Sequence, residues 1–217
     1  MDIRWRWIAD HTDDIRDNTI QHLQLVGTSL ALSLLVALPI ALLVYRRPAA
    51  FATANGVAGA LYTIPSLAMF AFLLAIMDIG FWPAVVALVL YSLLILIRNA
   101  VVGLRNVPAP VRDAARGLGY TRVQTLMRVE LPLALPAIIA GVRITAVSTV
   151  GIATIAVFVG AGGLGELIYN DGIQRGLFLT PILVGAVIAT VMALALDGLL
   201  LLAERLLTPW QRARTDR

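Results

Sequence analysis

The sequence predicts an all-α, polytopic helical membrane protein with about five transmembrane helices and a short helix in the connection between the third and the fourth. Three observations carry that prediction. The 217 residues are 59% hydrophobic and only 14% charged, with a mean hydropathy of +0.87, far from the mix of a soluble domain. Several apolar runs reach the roughly 20 residues that a helix needs to cross the hydrocarbon core. The connections between them alternate between arginine-rich and arginine-poor, the asymmetry that orients membrane helices.

Residues 1–21 are polar and read as an outer segment, with no cleavable signal because the first apolar run is long enough to span. One membrane domain is expected over 22–204. Its first span, about 25–44, stops at Tyr45-Arg46-Arg47-Pro48. The second, about 51–77, is interrupted by Pro65, which predicts a kink or a partly unwound entry; splitting this block would make six spans. The short turn Asp78-Ile-Gly80 leads into the third span, about 81–102, and demands an antiparallel pair. A loop over 103–135 follows. The fourth span, about 136–159, is closed by Gly160-Ala-Gly-Gly-Leu-Gly165. Glu166 to Leu177 then reads as a flexible outer segment with a short helix, before a fifth span over about 179–202 and a polar tail over 205–217.

Arginines set the orientation. Arg46 and Arg47 follow the first span, Arg105, Arg112, Arg116, Arg122 and Arg128 lie in or beside the 103–135 loop, and Arg205, Arg212, Arg214 and Arg217 lie in the tail. All three regions belong in the cytoplasm. The amino-terminal stretch carries Asp2, Asp10, Asp13, Asp14 and Asp17 against three arginines, which places the amino terminus outside, and five spans then bring the carboxyl terminus inside.

Composition also excludes. There is no cysteine, hence no disulfide, thiolate metal site or cysteine nucleophile. The net charge of +4 comes from arginines beside apolar runs, which argues for membrane orientation and against nucleic acid. His11 and His22 form no metal-site pattern, and no nucleophile, base and acid constellation is present, so the chain itself is not expected to be an enzyme.

The densest signal lies in the 103–135 loop. Pro110 is placed to start a helix, with Asp113 near its positive end. Val111, Ala114, Ala115 and Leu118 fall at i, i+3, i+4 and i+7, an apolar face of mostly small residues. Gly117 and Gly119 end that helix, Thr121 can cap a second, and Val123, Leu126 and Met127 give the second an apolar stripe up to Pro132. Two helices meeting at a glycine elbow suit docking into a partner's groove. The alternative is that the face packs on this chain's own helix ends.

Asp113-Ala-Ala, three residues, Gly119, nine residues, Val129, one residue, Leu131-Pro132 also resembles the coupling signature of the membrane permeases of ATP-driven importers, with Asp for Glu and Val for Ile as its two departures. Tyr62-Thr-Ile-Pro-Ser-Leu-Ala68, Leu90 to Asn99, Leu131-Pro-Leu-Ala-Leu-Pro136 and the glycine-rich loop are similar to the osmoprotectant branch of the type I ABC importer permeases. The resemblance covers about Leu25 to Leu202. It implies a permease subunit for glycine betaine, choline, carnitine or a related solute; methionine-type importers share the size and the signature. It further implies a separate ATPase subunit holding ATP and magnesium, a second permease copy or homologue, and an extracytoplasmic solute-binding protein. Val111, Asp113, Ala114, Ala115, Leu118, Gly119, Leu131 and Pro132 would couple to the ATPase. A passive channel and a small membrane enzyme are the rival classes, the first needing no docking elbow and the second needing intramembrane catalytic groups.

Gly160, Gly162, Gly163, Gly165 and Glu166 read either as a helix terminator or as an outer gate or receptor contact; the loop lacks the lysine of a phosphate-binding loop. Arg98, Arg143 and Asp197 are costly inside spans. Arg143 and Asp197 sit at similar depth, about 10 Å from the inner ends of their spans, so they can form an ion pair or can snorkel separately. Trp5, Trp7, Trp82 and Trp210 fall near span ends, where rings anchor at the interface or, alternatively, bind a quaternary ammonium cation.

Overall fold

The computed structural model describes residues 3–211, and its regular elements are all helical. Asp2 and the tail arginines Arg212, Arg214 and Arg217 lie outside the described residues. Helix α1 covers Trp5–Asp10 and α2 covers Thr12–Val44. The helix of the first span therefore begins well inside the polar stretch, with Asp13 and Asp14 favourably in its first turn.

The second block breaks at Pro65. α3 (Pro48–Thr63) and α4 (Ser66–Leu74) are bent 92° from one another. Pro65 disfavours helical backbone in Ile64, which is extended at φ −65° and ψ 127°. The Tyr91 hydroxyl donates to the freed Ile64 carbonyl at 2.6 Å, so the break is held from the neighbouring helix.

α5 (Phe81–Arg105) is the central helix, with thirteen buried residues spread along its length, and it packs most extensively on α2 and α8. α6 (Ala109–Gly117) is the short helix of the following loop. Beyond it, α7 (Arg122–Thr125), a wide turn over Leu126–Glu130, α8 (Leu131–Ala153) and a tight turn over Thr154–Val159 run as one 38-residue helix. The helix that holds the fourth apolar run thus starts at Arg122, ahead of Pro136, and Pro132 does not stop it. A proline opposes helix through its missing N–H and its clash with the carbonyl one turn back. The wide turn immediately before Pro132 relaxes both constraints.

Four helices, α2, α5, the 122–159 helix and α10 (Leu179–Leu207), are long and apolar enough to cross a membrane; the bent α3–α4 pair is a fifth candidate. Between the last two lies α9 (Leu164–Ile168), which continues into a wide turn over Tyr169–Ile173. This segment is not the loose loop that the glycines suggest. Leu164 and Leu167 are fully buried, in the same core as Leu25, Phe70 and Val159.

Two hydrophobic cores stack along the bundle. One surrounds Leu25, Phe70, Leu88 and Leu164; the other surrounds Ala41, Ile97, Leu104 and Ala134. His22, beside the glycine loop, and Tyr45, beside the α6 elbow, lie 23 residues apart on or just past α2. That separation is about 35 Å, so glycine loop and elbow occupy opposite ends across roughly one bilayer thickness.

Candidate functional site

Two ends and one intramembrane cluster collect the residues singled out in the sequence. At the first end, Pro110 stands in the opening turn of α6, as its fixed φ favours. Asp113 lies beyond the first turn and pairs with Arg116 at 3.2 Å, both side chains exposed. Leu118 caps α6, and Gly119, at φ 81°, makes the elbow, a conformation costly for residues with a Cβ. Thr121 starts the second helix with a capping box: its Oγ1 accepts from the Gln124 N–H at 3.2 Å, while Gln124 Oε1 accepts from the Thr121 N–H at 2.8 Å.

The apolar face of the elbow divides in two. Ala115 turns inward, buried, whereas Val111 and Leu118 are exposed, the latter at 78%. Ala114 is exposed as well, and Leu131 and Pro132 are half-buried. Val123 and Met127 on the second helix are also exposed. The unsatisfied surface therefore consists of Val111, Leu118, Val123 and Met127, with Ala115 serving the chain's own packing. Exposed apolar side chains clustered on a polar elbow mark an interaction surface.

Behind this surface stands a carboxylate that residue patterns did not reveal. Glu130 is fully buried in the wide turn between α7 and α8. Tyr45 Oη donates to its Oε2 at 2.7 Å, and Arg46 Nη2 donates to Oε2 at 2.9 Å and to Oε1 at 3.1 Å. Arg112 of α6 approaches Oε1 to 3.9 Å, an ion-pair distance without a hydrogen bond. Arg105 Nε donates to the Tyr45 carbonyl at 2.8 Å and its guanidinium lies over the Phe51 ring. Burial, then the hydrogen bond to Glu130, pushes the Tyr45 phenol up to about 12. In the sequence, Glu130 occupies the unspecified position of the signature, and only its place beside a helix-borne arginine set offered a hint.

At the opposite end, Gly160, Gly162 and Gly163 adopt left-handed backbone. Gly165 serves differently: a Cβ there would lie 2.2 Å from the Thr154 carbonyl oxygen, so α9 docks on the tight turn only without a side chain. Gln21 Oε1 accepts from the Gly163 N–H at 3.2 Å. His22 Nδ1 accepts from the Leu164 N–H at 3.3 Å, which leaves its Nε2 to donate to the Val150 carbonyl at 3.2 Å. His22 is thereby a structural clamp. Glu166 is half-buried and receives a hydrogen bond from Asn170.

Of the intramembrane ionisable groups, Arg143 and Asp197 come together. The guanidinium makes a two-pronged contact, Nε to Oδ1 at 2.8 Å and Nη2 to Oδ2 at 2.9 Å. Nη1 also reaches Glu204 at 3.5 Å. Asp197 and Glu204 are seven residues apart on α10, hence on one face, a spacing that could have identified the second acid. Arg143 and Asp197 border an open groove of about 590 Å³ walled by Ala140, Ile144, Val147 and Leu194. Arg98 is exposed on α5 and stays apart from this triad. Trp5, Trp82 and Trp210 are exposed near helix ends, whereas Trp7 stacks on His11 and meets Phe178 edge-on.

Residues 29–211 match the family described as binding-protein-dependent transport system inner membrane component. The choline transport system permease protein OpuBB of Bacillus subtilis is 37% identical over 192 residues, covering 88% of this chain and 87% of the relative. The carnitine transport permease protein OpuCB of Listeria monocytogenes is 36% identical over 212 residues, covering 96% and 95%. The osmoprotectant import permease protein OsmY of Salmonella typhimurium is 44% identical over 192 residues, covering 87% and 80%. Among solved structures, an amino acid ABC transporter crystallised with histidines superposes with a TM-score of 0.79 at 22% identity, covering 94% of this chain and 99% of that one. The inward-facing MetNI methionine ABC transporter gives 0.73 at 23% identity, covering 86% and 94%. These two likenesses concern the fold.

Proposed function

This chain belongs to the family of binding-protein-dependent transport system inner membrane components, and we propose that it is the permease subunit of an ATP-driven importer for a quaternary-amine compatible solute such as glycine betaine, choline or carnitine. The observation that carries the coupled reading is the exposed apolar elbow of Val111, Leu118, Val123 and Met127, which fits a groove on a separate ATPase. ATP and magnesium are held by that partner; this chain supplies docking surface and path. The choline, carnitine and osmoprotectant relatives favour quaternary amines over an amino-acid cargo.

In this reading the elbow end is cytoplasmic, the amino terminus is outside and the carboxyl terminus is inside the cell membrane. A second copy or a homologue completes the path, because one bundle of this size cannot readily enclose it. The glycine loop, with Gly160, Gly162, Gly163, Gly165 and Glu166, faces the solute-binding protein. Closure of the ATPases moves α6, which carries Asp113, Ala114 and Ala115 and ends before Gly119, as a rigid body against the start of α8 at Leu131 and Pro132, and this reopens the path outward.

The test is affinity purification of the tagged chain from its native membrane in mild detergent, with partners identified by mass spectrometry. An ATPase recovered in stoichiometric amount is the expected result. Its repeated absence would replace the importer with a passive channel.

A further inference from the structure

We propose that Glu130 is the positioning residue through which movement of the docking elbow reaches the membrane helices. The inference rests on the importer reading and adds to it a specific transmission point. The argument begins with cost. A buried carboxylate is tolerated only when paired and hydrogen-bonded, and the partners of Glu130 come from two other pieces of the chain. Tyr45 and Arg46 close the end of α2, Arg112 belongs to α6, and Glu130 itself lies at the junction of α7 and α8. Three elements that must move in concert are thus bound to one pair of oxygens.

The contacts are graded. Those to the α2 end are short, at 2.7 and 2.9 Å, whereas that to α6 is long, at 3.9 Å. Glu130 is therefore firmly joined to the membrane bundle and loosely to the docking helix. A shift of α6 by about 1 Å either tightens the Arg112 contact into a hydrogen bond or breaks it. The wide turn that contains Glu130 adds a place for the change, since such turns are local departures that can be gained or lost within a helix. Arg105, bonded to the Tyr45 carbonyl, extends the connection to α5.

The experiment uses the full complex in liposomes, this chain with its ATPase and solute-binding protein, and reads imported radiolabelled glycine betaine or choline per ATP hydrolysed. That ratio is independent of how much complex is recovered. E130Q keeps the shape and removes the charge; it is expected to lower the ratio at least about fivefold, the low end of coupling between distant sites. E130D restores part of it. R112Q, which leaves the buried carboxylate paired to Tyr45 and Arg46, guards against a folding defect in E130Q and is expected to lower the ratio in the same direction. The E130Q/Y45F double variant falls no further than E130Q, because both act at one node. Wild-type ratios in E130Q and R112Q would overturn the role of Glu130 while leaving the importer intact. A wild-type complex that hydrolyses ATP without importing either solute, or that never assembles, would instead overturn the reading on which the role depends.

Discussion

Replacing Gly165 by alanine tests the docking of α9 on the tight turn Thr154–Val159. The added Cβ would sit 2.2 Å from the Thr154 carbonyl oxygen and 3.1 Å from Val157 Cβ. Ordinary contact begins near 3.4 Å, so backbone must separate from backbone by about 1 Å, and no flexible side chain can yield instead. Leu164, Leu167 and Ala156 are fully buried around the contact, leaving no free space for the shift. Overpacking of this kind costs about 1–3 kcal/mol. Alanine returns up to about 1 kcal/mol of helix propensity relative to glycine, because Gly165 lies within α9 without a positive φ. The net expectation is a loss of about 1–2 kcal/mol, or a fall in Tm of about 2–8 °C for a chain of this size. Thermal unfolding in detergent, followed by circular dichroism, reads it. G27A is the matched control: nothing lies within 4 Å of its added Cβ on α2, so its Tm should hold or rise. A G165A protein as stable as wild type would refute the close docking.

Other expectations follow from separate features. V123D and L118D replace exposed side chains, so stability should change by no more than about 0.5 kcal/mol while ATPase recovery in the pull-down is lost; retained ATPase would contradict the docking surface. R143Q leaves both Asp197 and Glu204 without their shared cation, whereas D197N leaves Arg143 with Glu204, so R143Q should lower yield and Tm more than D197N, and the double variant should cost less than the summed singles. Tyr45, with its phenol pushed up to about 12 from an ordinary value of 10, holds its proton more tightly when folded. Its contribution to stability is complete below pH 10 and is lost as pH rises toward 12. Near-ultraviolet absorbance should therefore show a tyrosinate step near pH 12 that Y45F removes.

Much of this architecture was legible because its causes are local. Apolar runs, the Thr121 cap and the Pro110 start each act within a few residues, and the apolar runs at about 81–102, 136–159 and 179–202 all lie inside longer helices. The Arg143–Asp197 contact was legible because the two lie at similar distances from the inner ends of their apolar runs. What stayed hidden depends on geometry between elements. Pro65 announces a break, but neither its 92° angle nor the Tyr91 hydroxyl that donates to the freed Ile64 carbonyl from the neighbouring helix. Pro132 looks like a stop until the wide turn before it relieves its two penalties. Ala115 shares a helical face with Val111 and Leu118 in periodicity, yet it is buried against the chain while they are exposed. Glu130 was invisible as a hub because its partners are 18, 84 and 85 residues away in sequence.

The most direct test of the account is ATP-driven uptake by the purified complex in liposomes, with radiolabelled glycine betaine and choline compared against methionine. Uptake of a quaternary amine that requires both ATP and the solute-binding protein, with methionine excluded, is the predicted result. Entry of solute down its gradient without ATP would contradict the coupled importer, and ATP-driven uptake of methionine alone would contradict the quaternary-amine cargo.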